Sequence, residues 1–557
     1  GVAYASTNYV EDSDTKYPVK GGNLYFDEET GTITGSDYNV TEAVIPDKIN
    51  GIEVTGIGDH AFQDCASLTN INIPEGVMSI GEYAFTDCSS LTSIKIPERI
   101  TSIGEGAFYG CRSLISIKIP DGVTSIETHT FAFCSSLTSI YIPEGIMSIG
   151  DSAFRGCDLL TGIRIPDGIM SMGNSAFYGC SALTSIRIPE KITSIEDYTF
   201  NGCTLLTNIK IPNGVTSIGK YAFYGCSALT SIRIPTGVTA INNHTFDGCA
   251  SLTKIEIPNG VTSIGDYAFY GCASLTNIRI PTGVTSINDH TFLGCTSLTK
   301  IEIPNGVTSI GWHAFQECTS LTSIEIPEGV KIIWEYTFAY CSSLTSIKIP
   351  TSVKEIRDCA FKDCSSLTSI KLPDGIMSMG NRVFENCSSL TRIKLPNGVT
   401  SIGAHTFWEC SSLRSINIPE GVTSIGDYAF WYCGSLTSIK LPEGVTSIGH
   451  MAFYGCLEDF VIYGYAGSYA ETYAKAKNIK FEIYTGKYKE SVPKGKYGIF
   501  VVDSKGKAIK GADVEFGSHS GVTDGNGLAL FPKWTDGTPL IKVSCDGYIS
   551  YSNEDTD

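Results

Sequence analysis

Eighteen cysteines of this 557-residue chain stand 23 residues apart without a slip, from Cys65 through Cys88 and Cys111 to Cys456. Phenylalanine keeps the same interval at eighteen positions from Phe62 to Phe453, and proline at seventeen from Pro74 to Pro442. A fixed period of this length, with no insertion, is the mark of a solenoid, whose units bury their apolar faces only against their neighbours. Equivalent residues then form ladders from unit to unit.

Within one unit, Leu68, Ile71 and Ile73 give the L-x-x-I-x-I spacing of a short strand with its apolar residues facing inward. Pro74 ends that strand because it lacks an amide donor. Val77 and Ile80 form a second apolar group leading to Gly81, where the chain is expected to turn with positive φ. Ala84 and Phe85 then open a corner, read as a tight helical or 3₁₀-like turn closing at Cys88. The fold class is α/β leaning mainly β, with parallel strand ladders and a core filled by the phenylalanine column.

The cysteine column reads as small buried hydrophobes. Neighbours at rung spacing with parallel side chains are poorly placed for disulfides, which need Cβ atoms about 3.5–4.5 Å apart. Structural zinc sites use paired cysteines two to four residues apart, and here only Cys359 and Cys364 approach such a pairing. No metal or other cofactor is expected.

The consensus C-x-x-L-T-x-I-x-I-P-x-G-V-T-S-I-G-x-x-A-F-x-G, repeated over residues 41–456, resembles the treponemal-type leucine-rich repeat of BspA-like surface proteins. The resemblance implies a leucine-rich-repeat solenoid, an extracellular or bacterial cell-surface location, and adhesion to host or matrix proteins.

Five segments are expected. Residues 1–40 hold a loose start, taken to about residue 19, and a hairpin cap around Asn23–Phe26 and Gly31–Gly35. Residues 41–456 form the solenoid, whose first rung is five residues longer between proline and phenylalanine than its successors, as a terminal repeat can be. Residues 457–486 read as a strand-helix-strand cap, with Ser468 and Glu471 in capping-box spacing. The basic stretch 487–496 reads as a linker. Residues 497–557 resemble carboxypeptidase regulatory-like or prealbumin-like β-sandwich domains, in a segment short for a complete sandwich. Ala3-Tyr4-Ala5-Ser6 reads either as the end of a secretory signal or as a boundary within a longer protein.

A formal charge of −18 argues against nucleic acid or an anionic membrane as partner. No apolar run approaches the roughly 20 residues of a membrane helix, so no membrane insertion is expected. A monomer is expected. The outward strand position nonetheless carries a basic column: Lys95, Lys118, Arg164, Arg187, Lys210, Arg233 and Arg279, with Tyr141 interrupting it. These eight residues are the candidate ligand-binding set, suited to an anionic glycan or an acidic protein segment. Two features bear on them. Acidic residues such as Glu75, Glu98, Glu144, Asp167 and Glu190 follow the prolines and can neutralise the column, and the threonines Thr69, Thr138 and Thr184 can add hydroxyl hydrogen bonds. A second outward column, two residues before each phenylalanine, holds Tyr83, Tyr198, Tyr221, Tyr267, Tyr336 and Tyr428 with His60, His129, His244, His290, His313 and His405, and is a candidate for stacking on sugars.

Catalysis needs unlike groups converging in a pocket, whereas these ladders place like beside like. No catalytic residues are assigned. The readings are an adhesin or ligand-binding surface protein, a non-catalytic spacer or scaffold, and an accessory region of a longer secreted enzyme.

Overall fold

The computed structural model describes residues 14–484 and, beyond them, 496–501, 503, 508–516, 518–524, 527–532, 541–545 and 551–552. The chain divides into two compact units, Gly1–Pro350 and Thr351–Asp557.

The first unit opens with an antiparallel meander. Thr15–Val19 pairs with Gly22–Asp27, which pairs with Thr32–Ser36 through a bulge at Tyr25/Phe26. Ordered strand structure therefore covers the end of the segment expected to be loose, because Thr15, Tyr17 and Val19 alternate with exposed neighbours in strand fashion and Thr15 Oγ1 donates to Glu28 at 2.6 Å, while residues 1–13 lie outside the described residues. Thr32–Ser36 then pairs in parallel with Gly56–Ile57, and Gly56–Ile57 with Ser79–Ile80, so the meander continues the sheet it covers. The five extra residues of the first rung form a miniature hairpin, Lys48–Ile49 against Ile52–Glu53, turned at Asn50 (φ 47) and Gly51 (φ 83).

Each following rung has three sides. The first is a strand such as Ser116–Lys118, registered in parallel with Ser139–Tyr141, its central isoleucine inward and its flanks exposed. The second is a two-residue strand, as in Ser79–Ile80 beside Ser102–Ile103. Gly81 follows it without positive φ. A Cβ there would stand 2.6 Å from the Asp59 amide nitrogen, so glycine is needed for close approach of two rungs rather than for a turn.

The corner is not a 3₁₀ helix. Alternate amides reach the next rung, as Tyr221 to Asn243 O, Phe223 to Thr245 O and Gly225 to Asp247 O at 2.7–3.1 Å, while Tyr224 and Cys226 close three-residue turns within the rung. A helix cannot propagate when every second donor leaves it. The geometry places residues two before and two after phenylalanine in the left-handed region, as at Tyr221 (φ 57) and Gly225 (φ 68).

Inside, phenylalanines 62 to 338 stack at 5.2–5.7 Å in the first unit, and 361 to 453 at 5.2–5.6 Å in the second. The cysteines do more than fill space. Within a unit, a phenylalanine carbonyl accepts the amide of the cysteine three residues on and the thiol of the next rung's cysteine, as Phe200 O does from Cys203 N (3.1 Å) and Cys226 Sγ (3.2 Å). The thiol thereby satisfies the second lone pair of a buried carbonyl. None of the cysteines is paired in a disulfide among the described residues, and burial pushes thiols such as Cys134 and Cys226 up to about 12.

In the second unit, Val461–Gly464 continues the strand ladder beside Ser438–Lys440, and Lys480–Ile483 pairs in parallel with it after the helix Tyr469–Ala476. Ser468 Oγ caps that helix by accepting from Glu471 N at 3.3 Å. Phe460 and Tyr473 lie against Phe453, the last ring of the column. Farther on, Lys496–Phe500 pairs with Leu528–Pro532, while Asp513–Phe516 lies between His519–Val522 and Ile541–Ser544. Val514, Phe516, Ala529 and Phe531 form a small core there. The expected linker lies outside the described residues apart from Lys496. Among the described residues no helix is long and apolar enough to cross a membrane.

Two outcomes test this packing. Phe223→Ala should lower stability by about 3–5 kcal/mol, read from the urea midpoint by circular dichroism, since Phe200 and Phe246 cannot close the gap. Titration of the native chain with a disulfide reagent at mildly alkaline pH should label at most the two incompletely buried thiols, Cys456 and Cys545, and all twenty once guanidinium is added.

Candidate functional site

All eight candidate residues lie exposed along the strand side of the first unit. Parallel register aligns them directly: Lys118 faces Tyr141, Arg187 faces Lys210, Arg233 faces Glu256, and Arg279 faces Glu302. Lys118 Nζ also sits 5.9 Å from the Tyr141 ring centroid.

The post-proline acids reach this column. Lys95 pairs with Glu75 (2.7 Å), Lys118 with Glu98 (2.6 Å), Arg164 with Glu144 (2.5 Å), Arg187 with Asp167 (2.5 Å) and Lys210 with Glu190 (3.4 Å). Hydrogen bonds that Lys95 and Lys118 donate to Glu75 and Glu98 hold both lysines above the usual lysine range. These pairs are open to water and salt, so they neutralise the track without locking it. Arg233 and Arg279 differ, because asparagines, Asn213 and Asn259, occupy the positions from which an acid would reach them. Neither arginine makes an ion pair among the described residues. Arg233, Thr236, Lys254, Glu256, Asn259 and Arg279 line a shallow hollow of about 540 Å³, in which Lys254 and Glu256 pair at 2.8 Å.

The threonine column is partly engaged. Thr138 and Thr184 hydroxyls donate to carbonyls of the preceding rung at 3.1 and 3.2 Å, which leaves them acceptors for a ligand rather than donors.

At the corner the tyrosine/histidine column forms a continuous stack over seven rungs. Tyr198, Tyr221, His244, Tyr267, His290, His313 and Tyr336 follow one another at 4.3–4.8 Å with interplanar angles of 5–12°. The inner rings of this run have both faces covered and offer only an edge outward, so they cannot stack on sugars. Ring contact also offsets the left-handed backbone these residues adopt, a conformation unfavourable for a side chain with a Cβ. Beside the stack runs a groove of about 670 Å³, walled by residues that directly follow the phenylalanines, including Asn201, Tyr224, Asp247, Tyr270 and Leu293. His244 Nδ1 lies 2.7 Å from Asp247 Oδ2, and burial raises the Asp247 carboxyl. His290 Nδ1 is buried without a hydrogen bond, and burial, with His313 beside it, lowers the His290 pKa. Among the described residues no cluster of three His, Cys, Asp or Glu is placed to hold a metal.

Reading columns at a 23-residue period places both arginines among the eight candidates but misses the groove wall and their lack of a diagonal acid. Both follow from a longer period of 46 residues over about 208–305, in which Asn213, Tyr221, Tyr224, Arg233 and His244 recur as Asn259, Tyr267, Tyr270, Arg279 and His290.

Comparison with known families matches residues 55–184, 129–249, 171–299, 216–345 and 331–458 to the BspA type leucine rich repeat region (6 copies). Among solved structures, a leucine-rich repeat protein from Bacteroides ovatus is 27% identical, covering 86% of this chain and 100% of its own, with a TM-score of 0.42. A leucine rich cell surface protein from Faecalibacterium prausnitzii is 31% identical, covering 52% and 95%, with a TM-score of 0.38. The T. pallidum leucine rich repeat protein is 27% identical, covering 39% and 91%, with a TM-score of 0.27. No curated protein matches the chain.

The stacked histidine generates a pH prediction. As pH falls, the unfolded chain takes up a proton at this position near the unperturbed value of 6.5 before the folded chain does, so stability declines through that range and levels off below the folded-state pKa. His290→Tyr, which keeps a ring in the stack, should therefore lose less thermal stability than the parent between neutral pH and about pH 5. Equal losses, measured by calorimetry, would show that His290 does not contribute.

Proposed function

Because the chain belongs to the BspA-type leucine-rich-repeat family, we propose that it is a non-catalytic binding protein of the bacterial cell surface, engaging a host or matrix protein or an anionic glycan through its strand face. The surface location and the adhesive role follow from the family resemblance. The observation that carries the choice of face is the pair of arginines, Arg233 and Arg279, which face Glu256 and Glu302 across the rungs but lack the diagonal ion pair that Lys95 to Lys210 make, beside an open hollow.

A planar guanidinium is suited to carboxylate or sulfate, and two of them set two rungs apart fit a ligand with repeated acidic groups. Lys95, Lys118, Tyr141, Arg164, Arg187 and Lys210 extend the surface as a row of exchangeable ion pairs, in which a ligand anion replaces the protein's own carboxylate. On this reading the C-terminal strands from Lys496 onward belong to a sandwich-like segment that serves as a spacer.

The test is capture on a glycan and matrix-protein array, comparing the parent with Arg233→Glu/Arg279→Glu and with a variant reversing Lys95, Lys118, Arg164, Arg187 and Lys210. Salt-sensitive capture by the parent, weakened at least about tenfold by reversing the two arginines and less by the five-fold reversal, is expected. Capture indifferent to both variants, or none by the parent, would leave the spacer reading as the better account.

A further inference from the structure

We propose that the corner groove of the first unit is a second binding site, for an extended uncharged polysaccharide of β-1,4-linked pyranoses seated on Tyr224 and Tyr270. The site lies on a different side of each rung from the strand face, and the proposal does not depend on that face binding anything.

The geometry separates two kinds of ring. Those of the stack, Tyr221, His244, Tyr267 and His290, have their faces covered and form a floor of polar edges. Tyr224 and Tyr270 lean away from that floor, tilted 51° from Tyr221 and 49° from Tyr267, and remain 40% and 37% exposed. They are the rings free to receive the C–H face of a sugar, with the phenol as a polar handle.

Their spacing selects the ligand. Two rungs separate them, about 9.6 Å at the usual strand separation. In a β-1,4-linked chain each pyranose is turned over relative to the last, so the same face returns at every second sugar, over a closely similar length. The position between the two tyrosines is the shorter Asp247, buried and turned toward His244 Nδ1 at 2.7 Å, which leaves room for the intervening sugar. Asn201 and Gln316 border the groove farther along.

Charge and backbone exclude the obvious competitors. None of the residues lining the groove is lysine or arginine, so an anionic glycan finds no counter-charge there. A peptide adding itself as a strand needs free amides, but the corner amides of Tyr221, Phe223 and Gly225 are bonded to the next rung and those of Tyr224 and Cys226 to their own.

The experiment is calorimetric titration of the whole chain with cellohexaose and β-1,4-mannohexaose, with α-1,4-linked maltohexaose as a shape control. Three variants accompany the parent: Tyr224→Ala/Tyr270→Ala, Tyr224→Phe/Tyr270→Phe, and Arg233→Glu/Arg279→Glu. Binding of at least one β-1,4 hexaose is expected, weakened at least about tenfold by the alanine pair and retained by the phenylalanine pair and by the strand-face variant. Both tyrosines are exposed, and an unchanged circular dichroism midpoint checks that the alanine pair still folds. Failure of both β-1,4 hexaoses to bind at millimolar concentration, equal binding by the alanine pair, or a preference for maltohexaose would each overturn the proposal.

Discussion

Backbone hydrogen bonding between rungs fixes a separation of about 4.8 Å, and every side-chain column in this protein must live at that distance from its own copies. For phenylalanine the spacing suits offset stacking, and for isoleucine it gives continuous apolar contact. For charge it is unfavourable, since equal charges would face each other directly. The chain meets the difficulty in two ways: acids on the adjacent turn reach Lys95 to Lys210 diagonally, while around Arg233, Glu256, Arg279 and Glu302 the sign alternates from rung to rung.

The corner shows the same rule acting on the backbone. Sending alternate amides to the next rung leaves residues such as Tyr221 and His244 left-handed, where glycine would be the easier choice. Glycine does occupy the other left-handed position in many rungs, as at Gly225 and Gly248. At the first position rings are retained over a run of seven rungs, and their mutual contact is the compensation a glycine could not provide. The groove beside them is thus a by-product of how the corner is stabilised.

What could be read from the sequence was whatever the 23-residue period repeats without variation: the solenoid, the inward isoleucines and the buried phenylalanine and cysteine columns. What could not be read depended on contacts between rungs. Gly81 looked like a turn residue because glycine's two uses, positive φ and close approach, leave the same mark in a sequence. The cysteine column read as a hydrophobe because nothing in its spacing reveals the carbonyl it bonds. The strand column was visible, yet which of its cations remain unpaired depended on a side chain twenty residues earlier reaching across one rung. Arg233 and Arg279 stand out only once Asn213 and Asn259 are seen beside them.

The 46-residue period has a consequence for how such an array can change length. Removing a single rung between Asn208 and Asn305 would bring like charge against like on the strand side and disturb the alternation of tall and short residues along the groove. Removing or duplicating two rungs keeps the alternation of sign at Arg233, Glu256, Arg279 and Glu302 and of tyrosine with a shorter residue at Tyr224, Asp247, Tyr270 and Leu293. Recombination between misaligned copies of the gene would then be tolerated in this region in even steps, so that related chains differing here by 46 residues would keep the same surface chemistry and vary only in how much of it they carry.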